Sequence, residues 1–527
     1  MQKVEIYDTT LRDGTQGEAV SFTLLDKLRL AEKLDEFGVD FIEGGYPGSN
    51  PKDIAFFERV RKKKFQHAHI VAFGSTRRKN LLPEEDQNLR RLAESGTDYV
   101  AIFGKSWDLH ATEVLKVSRE ENLMMIRDSV SFLVGCGRHV FFDAEHFFDG
   151  FKNDSSYALA TILSAAESGA ERIVLCDTNG GTLPFELEEI ICKVRECCTV
   201  PLGIHCHNDS GLALANSLEA VRCGAFHVQG TMNGYGERCG NSDLMSVIPI
   251  LQLKMGYFCV PEEKLKSLTL LSRTVSELAN LVPSSSQPFV GLSAFAHKGG
   301  VHIDAVAKNP LSYEHILPQS VGNERRILVS ELSGKSAILQ KFGAFDLAEQ
   351  PALVKDILTM IGQLENEGYQ FESAEGSFEL MVRRAIGGYK KLFEVEGFRV
   401  IVEQRGKKIV SEATVKIKVG KEIEHTASEG NGPVNALDAA LRKALLKFYP
   451  DLGEIKLTDY KVRILHPEKA TAAVTRVLIE SNDDKSVWGT IGLSENIIEA
   501  SWQALLDSFE YKLLKDIESN YLKPEKK

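Results

Sequence analysis

Along residues 1 to about 280, short apolar runs alternate with longer stretches in which apolar side chains return every three or four positions. The short runs predict strands: "VEIYDTTL" from Val4, "FIEGGY" from Phe41, "HIVAFG" from His69, "YVAIFG" from Tyr99, "HVFFDAEHF" from His139, "RIVLCDTNG" from Arg172, "LGIHCHND" from Leu202 and "FHVQGTMNG" from Phe226. The intervening stretches, such as "LLDKLRLAEKLDEFG" and "SSYALATILSAAESGAE", have helical spacing with glycine near the end. Eight strand–helix units at roughly 25- to 40-residue spacing predict a (β/α)8 barrel, an α/β fold. A doubly wound open sheet is the alternative, and the even spacing favours closure.

Near residue 281 the alternation stops. "LVPSSSQPFVG" (281–291) has the composition of a linker, and a mainly helical segment carrying "AFAHKGGVHIDAV" is expected to follow it to about residue 390. From 391 to 527 the period changes to two. "KLFEVEGFRVIVEQ" and "SEATVKIKVG" predict antiparallel strands before the helix "PVNALDAALRKALLKF". "KVRILHP", "AVTRVLIES" and "VWGTIGL" then lead to "SENIIEASWQALLDSF", a second unit of the same kind. The expected organisation is a barrel domain over 1–280, helical linker subdomains over 281–390, and a C-terminal α+β domain over 391–527 with an internal pseudo-twofold repeat.

Composition narrows the class of protein. A formal net charge of −11 supplies no basic field for nucleic acid or an anionic membrane. No run approaches the roughly 20 apolar residues of a spanning helix, and the start lacks the apolar core of a signal peptide, so a cytoplasmic protein is expected. The nine cysteines include no C-x-x-C pair and are read as reduced thiols, none of them a nucleophile.

In a barrel of this kind the chemistry sits at the carboxyl ends of the strands. Those ends are crowded with polar residues: Arg12 and Asp13 after the first, Glu43 and Tyr46 at the second, and Asp143, Glu145 and His146 at the fifth. Asp177, Thr178 and Asn179 end the sixth, His205 and His207 the seventh, and Glu237, Arg238 and Asn241 follow the eighth. His205 and His207 stand at i and i+2, so a strand points both imidazoles the same way. With Asp13 two strands around the ring, they make a two-histidine, one-carboxylate ligand set that suits Zn²⁺, Mn²⁺ or Mg²⁺ and leaves positions open for substrate. Such an ion acts as a Lewis acid on the carbonyl of a 2-keto acid, and Arg12 adds a second positive charge near the developing alkoxide.

"DTTLRDGTQG", "IHCHND", "GYGERCGN" and "HKGGVHIDAV" together resemble the 2-isopropylmalate, homocitrate and citramalate synthase family, and the resemblance runs over essentially the whole chain. It implies a Claisen-type condensation of acetyl-CoA, the co-substrate, with a 2-keto acid. Thr15 stands where isopropylmalate synthases usually show Glu, and "EGGYP" where they show E-A-G-F-P. These departures point to pyruvate as acceptor and an entry into isoleucine synthesis, with 2-ketoisovalerate and leucine synthesis as the alternative. By this resemblance Asn241 is a fourth metal ligand or its neighbour, Arg12 polarises the keto oxygen, and Tyr46, Glu145 and Thr178 position substrate. His302 matches a catalytic histidine and Tyr313 a neighbouring tyrosine, with Glu145 the competing base. Isoleucine as an effector at the C-terminal domain and a homodimer in which His302 reaches the partner's site are further implications. Phe73 and Phe103, near the ends of strands three and four, are candidates for the wall around the keto-acid side chain. Two rival readings are a lyase running related chemistry in reverse, against which residues 391–527 argue, and a non-catalytic amino-acid sensor.

Overall fold

The computed structural model describes residues 2–48, 50–328, 338–339, 347–387, 389–465, 473–483 and 486–521. Parts of the segment expected to be mainly helical (329–337 and 340–346) and the end of "KVRILHP" lie outside the described residues. Eight parallel strands form a closed barrel: β1 (Glu5–Asp8), β2 (Phe41–Gly45), β3 (His69–Ser75), β4 (Tyr99–Lys105), β5 (His139–Glu145), β6 (Arg172–Asp177), β7 (Leu202–Cys206) and β8 (His227–Gly230). Pairing of Glu5 with His227 through Asp8 with Gly230 closes the ring. All eight runs read from the sequence are strands, and the barrel, not the open sheet, is the fold.

Burial on both faces explains why these strands are almost continuously apolar. Outward side chains such as Ile6, Ile42 and Ile204 are sealed under the helices. Inward ones form a plug of Tyr7, Phe41, Val71, Phe73, Ala101 and Phe141. The helices begin where local chemistry tells them to. Helix Leu24–Phe37 starts at Thr23, whose hydroxyl accepts from the Asp26 amide while the Asp26 carboxylate takes the Thr23 amide, and it stops at Gly38 in the left-handed region. At the amino-terminal mouth Arg172 on β6 and His227 on β8 both contact Glu5 on β1, at 3.1 and 3.3 Å.

By contacts the chain forms two units. The first comprises Met1–Phe295 with Glu314–Arg325, the second Ala296–Tyr313 with Arg326–Lys527. Residues 314–325 return to the first unit: Val321 is fully buried in its core, Thr269 donates to the Val321 carbonyl (2.8 Å), and Asn323 donates to the carbonyls of Phe289 and Gly291. The second unit opens with β9 (Ala296–His297) paired to β10 (Arg326–Ile327). It contains two sheets of three antiparallel strands, β11 (Glu394–Arg405), β12 (Lys408–Val419) and β13 (Glu422–Gly430), then β14 (Lys456–Ile464), β15 (Thr475–Asn482) and β16 (Val487–Ser494). Each sheet is followed by a helix, Pro433–Leu445 and Ile497–Tyr521, so the repeat expected from the sequence is present.

Candidate functional site

The turn after β1 places Arg12 and Asp13 at the carboxyl mouth of the barrel, just before the short turn Gly14–Gln16. Arg12 is held from two sides. Its Nε donates to Glu43 on β2 (2.6 Å), and its guanidinium carbon lies 3.8 Å from the centre of the Phe73 ring. Glu43, fully buried, also accepts from Tyr7 Oη (2.8 Å) and Thr9 Oγ1 (2.5 Å), so its charge is fixed in place. Arg12 Nη1 is 3.4 Å from Asp13 Oδ2.

Three buried ligand-type groups meet beside Arg12. His205 Nε2 lies 3.3 Å from Asp13 Oδ2 and 3.4 Å from His207 Nε2, and the ligand atoms of Asp13, His205 and His207 all fall within 4.8 Å of one another. His205 Nδ1 is 3.0 Å from Gln229 Oε1 on β8, and Gln229 Nε2 donates to Asp143 on β5 (3.3 Å). An amide oxygen can only accept, so Nδ1 carries a proton and Nε2 is the nitrogen turned to the cluster, beside Asp13. His207 follows the end of β7 and bridges to Asn241. Asp13 Oδ1, His207 Nδ1 and Asn241 Oδ1 are buried and have no hydrogen-bond partner among the described residues. Unsatisfied buried acceptors are costly. Asp13 Oδ1, with the two imidazoles converging beside it, makes the kind of donor set a divalent cation satisfies, so these residues fit a metal.

Without an ion the charges pair among themselves. Burial opposes ionisation of Asp13, but the Arg12 charge and the His205 hydrogen bond outweigh it and hold the carboxyl well below its usual range, and against burial the same contact with Asp13 raises His205. Burial and the neighbouring His205 hold His207 down to about 3, a neutral imidazole able to ligate. Burial, reinforced by Glu43, pushes Asp143 up to about 7.

The remaining expected residues are distributed as follows. Glu145, at the end of β5, is ion-paired with Lys105, its register partner at the end of β4. Thr178 Oγ1 accepts from the His146 amide (2.9 Å), which leaves its own proton free to be donated. Tyr46 packs edge-on against Phe73 (5.2 Å), and Phe73 stacks on Phe103 (5.5 Å), so both phenylalanines line the mouth next to Arg12. His302, on helix Gly300–Lys308, and Tyr313 belong to the second unit, where their rings stack at 4.1 Å. The cluster thus brings together Arg12, Asp13, His205, His207 and Asn241. The roles of Glu43, Gln229 and Lys105 are additions by the structure. Glu43 was visible in the sequence as a carboxylate at a strand end, whereas an internal glutamine carries no such signal.

Family models match three consecutive stretches: HMGL-like over residues 3–275, homocitrate synthase post-HMGL domain-like over 289–369, and LeuA allosteric (dimerisation) domain over 372–513. The chain is 57% identical to an (R)-citramalate synthase of Geobacter sulfurreducens over 522 residues, covering 98% of this chain and 99% of that one. It is 53% identical to an (R)-citramalate synthase of Aquifex aeolicus over 526 residues, covering 99% and 100%. A probable 2-isopropylmalate synthase of Methanopyrus kandleri is 32% identical over 505 residues, covering 96% and 97%.

Proposed function

Because the chain belongs to the (R)-citramalate synthase family, within the HMGL-like enzymes, we propose that it condenses acetyl-CoA with pyruvate and water to give citramalate and CoA. The observation that carries the chemistry is the convergence of Asp13, His205 and His207 beside Arg12, with the buried Asp13 Oδ1 left without a hydrogen-bond partner. The choice of acceptor follows the relatives: 47–57% identity to citramalate synthases against 32% or 31% to two relatives named as isopropylmalate synthases.

Asp13, His205 and His207, with Asn241 beside them, would hold a divalent cation (Mn²⁺, Mg²⁺ or Zn²⁺). That ion, when bound, supplies Lewis-acid polarisation of the keto group. The protein's own residues do the rest. Arg12, immobilised by Glu43 and Phe73, presents N–H groups to the keto oxygen and stabilises the alkoxide that forms there. Thr178 donates its free hydroxyl proton to the keto-acid carboxylate. Tyr46 and the Glu145–Lys105 pair border the substrate, and Phe73 and Phe103 restrict its side chain to a methyl group. His302, oriented by Tyr313, takes the methyl proton of acetyl-CoA. The new carbon–carbon bond then forms and water releases CoA from the thioester.

In this reading residues 1–280 are the catalytic domain, 281–390 the linker and 391–527 the regulatory domain. The enzyme is a cytoplasmic homodimer inhibited by isoleucine in a branched-chain amino-acid pathway, and His302 serves the partner's site. Support comes from the family model for the C-terminal part and from the lack, among the described residues, of any helix long and apolar enough to cross a membrane. The test is CoA release from acetyl-CoA with Mn²⁺ or Mg²⁺ present and pyruvate, 2-ketoisovalerate and 2-ketoglutarate offered separately. Turnover with pyruvate alone is expected. A preference for 2-ketoisovalerate overturns the assignment.

A further inference from the structure

The glycine-rich loop "GYGERCGN" (234–241) is wound tightly on itself. Asn233, Gly234, Gly236, Arg238 and Gly240 all take positive φ, and a Cβ on Gly240 would lie 2.1 Å from the Gly234 carbonyl oxygen. Asn241, the last residue of this loop, is the neighbour of His207 in the cation cluster. One side chain leaves the loop to grip both adjacent loops of the rim. Arg238 donates from Nε and Nη2 to the two carboxylate oxygens of Asp209 after β7 (2.7 and 2.9 Å). The same Nη2 donates to the Thr178 carbonyl after β6 (2.8 Å). Glu237 adds a looser contact at 3.5 Å. Thr178 is thereby fixed at both ends, its hydroxyl oxygen by the His146 amide and its carbonyl by Arg238.

We propose that Arg238 is a positioning residue that latches the loops after β6, β7 and β8 together, and so couples the keto-acid-binding hydroxyl of Thr178 to the cation cluster at His207 and Asn241. The inference rests on the proposed function, which assigns those residues their roles. A non-glycine residue at φ 59° is held there by its surroundings, and such positions gather where geometry is tightly specified. The latch needs a planar fork: two parallel bonds to one carboxylate and a third to a carbonyl cannot be reproduced by a single ammonium. A latch spanning both subsites also makes their occupancies interdependent, because each ligand then favours the same loop arrangement.

Titration calorimetry of the full-length protein with Mn²⁺, alone and with the unreactive pyruvate isostere oxamate, tests this. Wild type should bind Mn²⁺ and bind it more tightly with oxamate present. Arg238→Met should weaken Mn²⁺ binding by about 2- to 30-fold, the range for residues that act on a site through intervening contacts, and should abolish the oxamate effect while melting near the wild-type temperature. Arg238→Lys should not restore either property. Asp209→Asn, which keeps the Thr178 contact, should lose less, and it carries the test if Arg238→Met does not fold. Native Mn²⁺ affinity with a native oxamate effect in Arg238→Met overturns the latch alone, as does full rescue by lysine. A wild type that takes up no Mn²⁺ overturns the cation site and the latch with it.

Discussion

Gln229 illustrates how far an imidazole's behaviour is set by the nitrogen turned away from its neighbours. Its amide oxygen fixes the His205 proton on Nδ1, and its own N–H groups are oriented by Asp143. Gln229→Leu should therefore leave the barrel folded but weaken Mn²⁺ binding by about 10- to 100-fold, measured by titration calorimetry. The phenylalanines at the mouth lead to a different expectation. Phe73 carries the Arg12 guanidinium on its face while Phe103 stacks behind it. Phe103→Ala should raise the ratio of 2-ketoisovalerate to pyruvate turnover, bounded by the ~1–3 kcal/mol that an extra methylene in a pocket is worth. Phe73→Ala should lower kcat with every acceptor, because Arg12 loses its support. Unchanged ratios in Phe103→Ala would remove it from the pocket wall. The cluster was legible because H-x-H running off a strand end and an acid in the turn after a nearby strand state their own geometry. Glu43 and Gln229 were not assigned, since their roles exist only through contacts with Arg12 and His205, 31 and 24 positions away.

Strands carry a second layer of charge at the opposite mouth of the barrel. Burial alone would raise the Glu5 carboxyl, but hydrogen bonds from His227 and Arg172 reverse this and lower it to about 2. A carboxyl depressed in the folded state stabilises the fold above its unfolded value and loses that contribution as pH falls toward the folded one. Thermal melts should therefore show a loss between about pH 4.5 and pH 2 that is shallower in Glu5→Gln. Identical acid limbs in the two proteins would show that the pairs around Glu5 do not stabilise barrel closure. At this scale the sequence was most informative where burial is two-sided. The eight barrel strands stand out as apolar runs, whereas β13, "EIEHTASEG", is mostly polar with one face exposed, and its period is too weak to announce a strand.

For the molecule as a whole, the decisive feature is that the chain leaves the first unit at Phe295, returns for Glu314–Arg325, and leaves again. Hydrophobic periodicity marks the end of the barrel pattern but cannot show the return, which depends on single contacts. Val321 enters the core, and His315 packs against Phe289 (5.2 Å) and Phe295 (6.1 Å). A protein ending at residue 295 should therefore melt below one ending at residue 325, as followed by circular dichroism. Equal melting temperatures would mean that the returning segment adds nothing to the stability of the first unit.

The same threading sets an order of events during synthesis. A ribosome that has just released Phe295 has made every barrel strand but not the segment that covers Phe289 and Thr269. The nascent barrel must wait, with that apolar surface open, until the 18 residues 296–313, which belong to the other unit, and then 314–325 have emerged. For protein engineers the corollary is that one splice point cannot exchange the C-terminal part cleanly. A graft at 295 takes away a piece of the barrel's own wall, and a graft at 325 leaves a loop of the old partner behind.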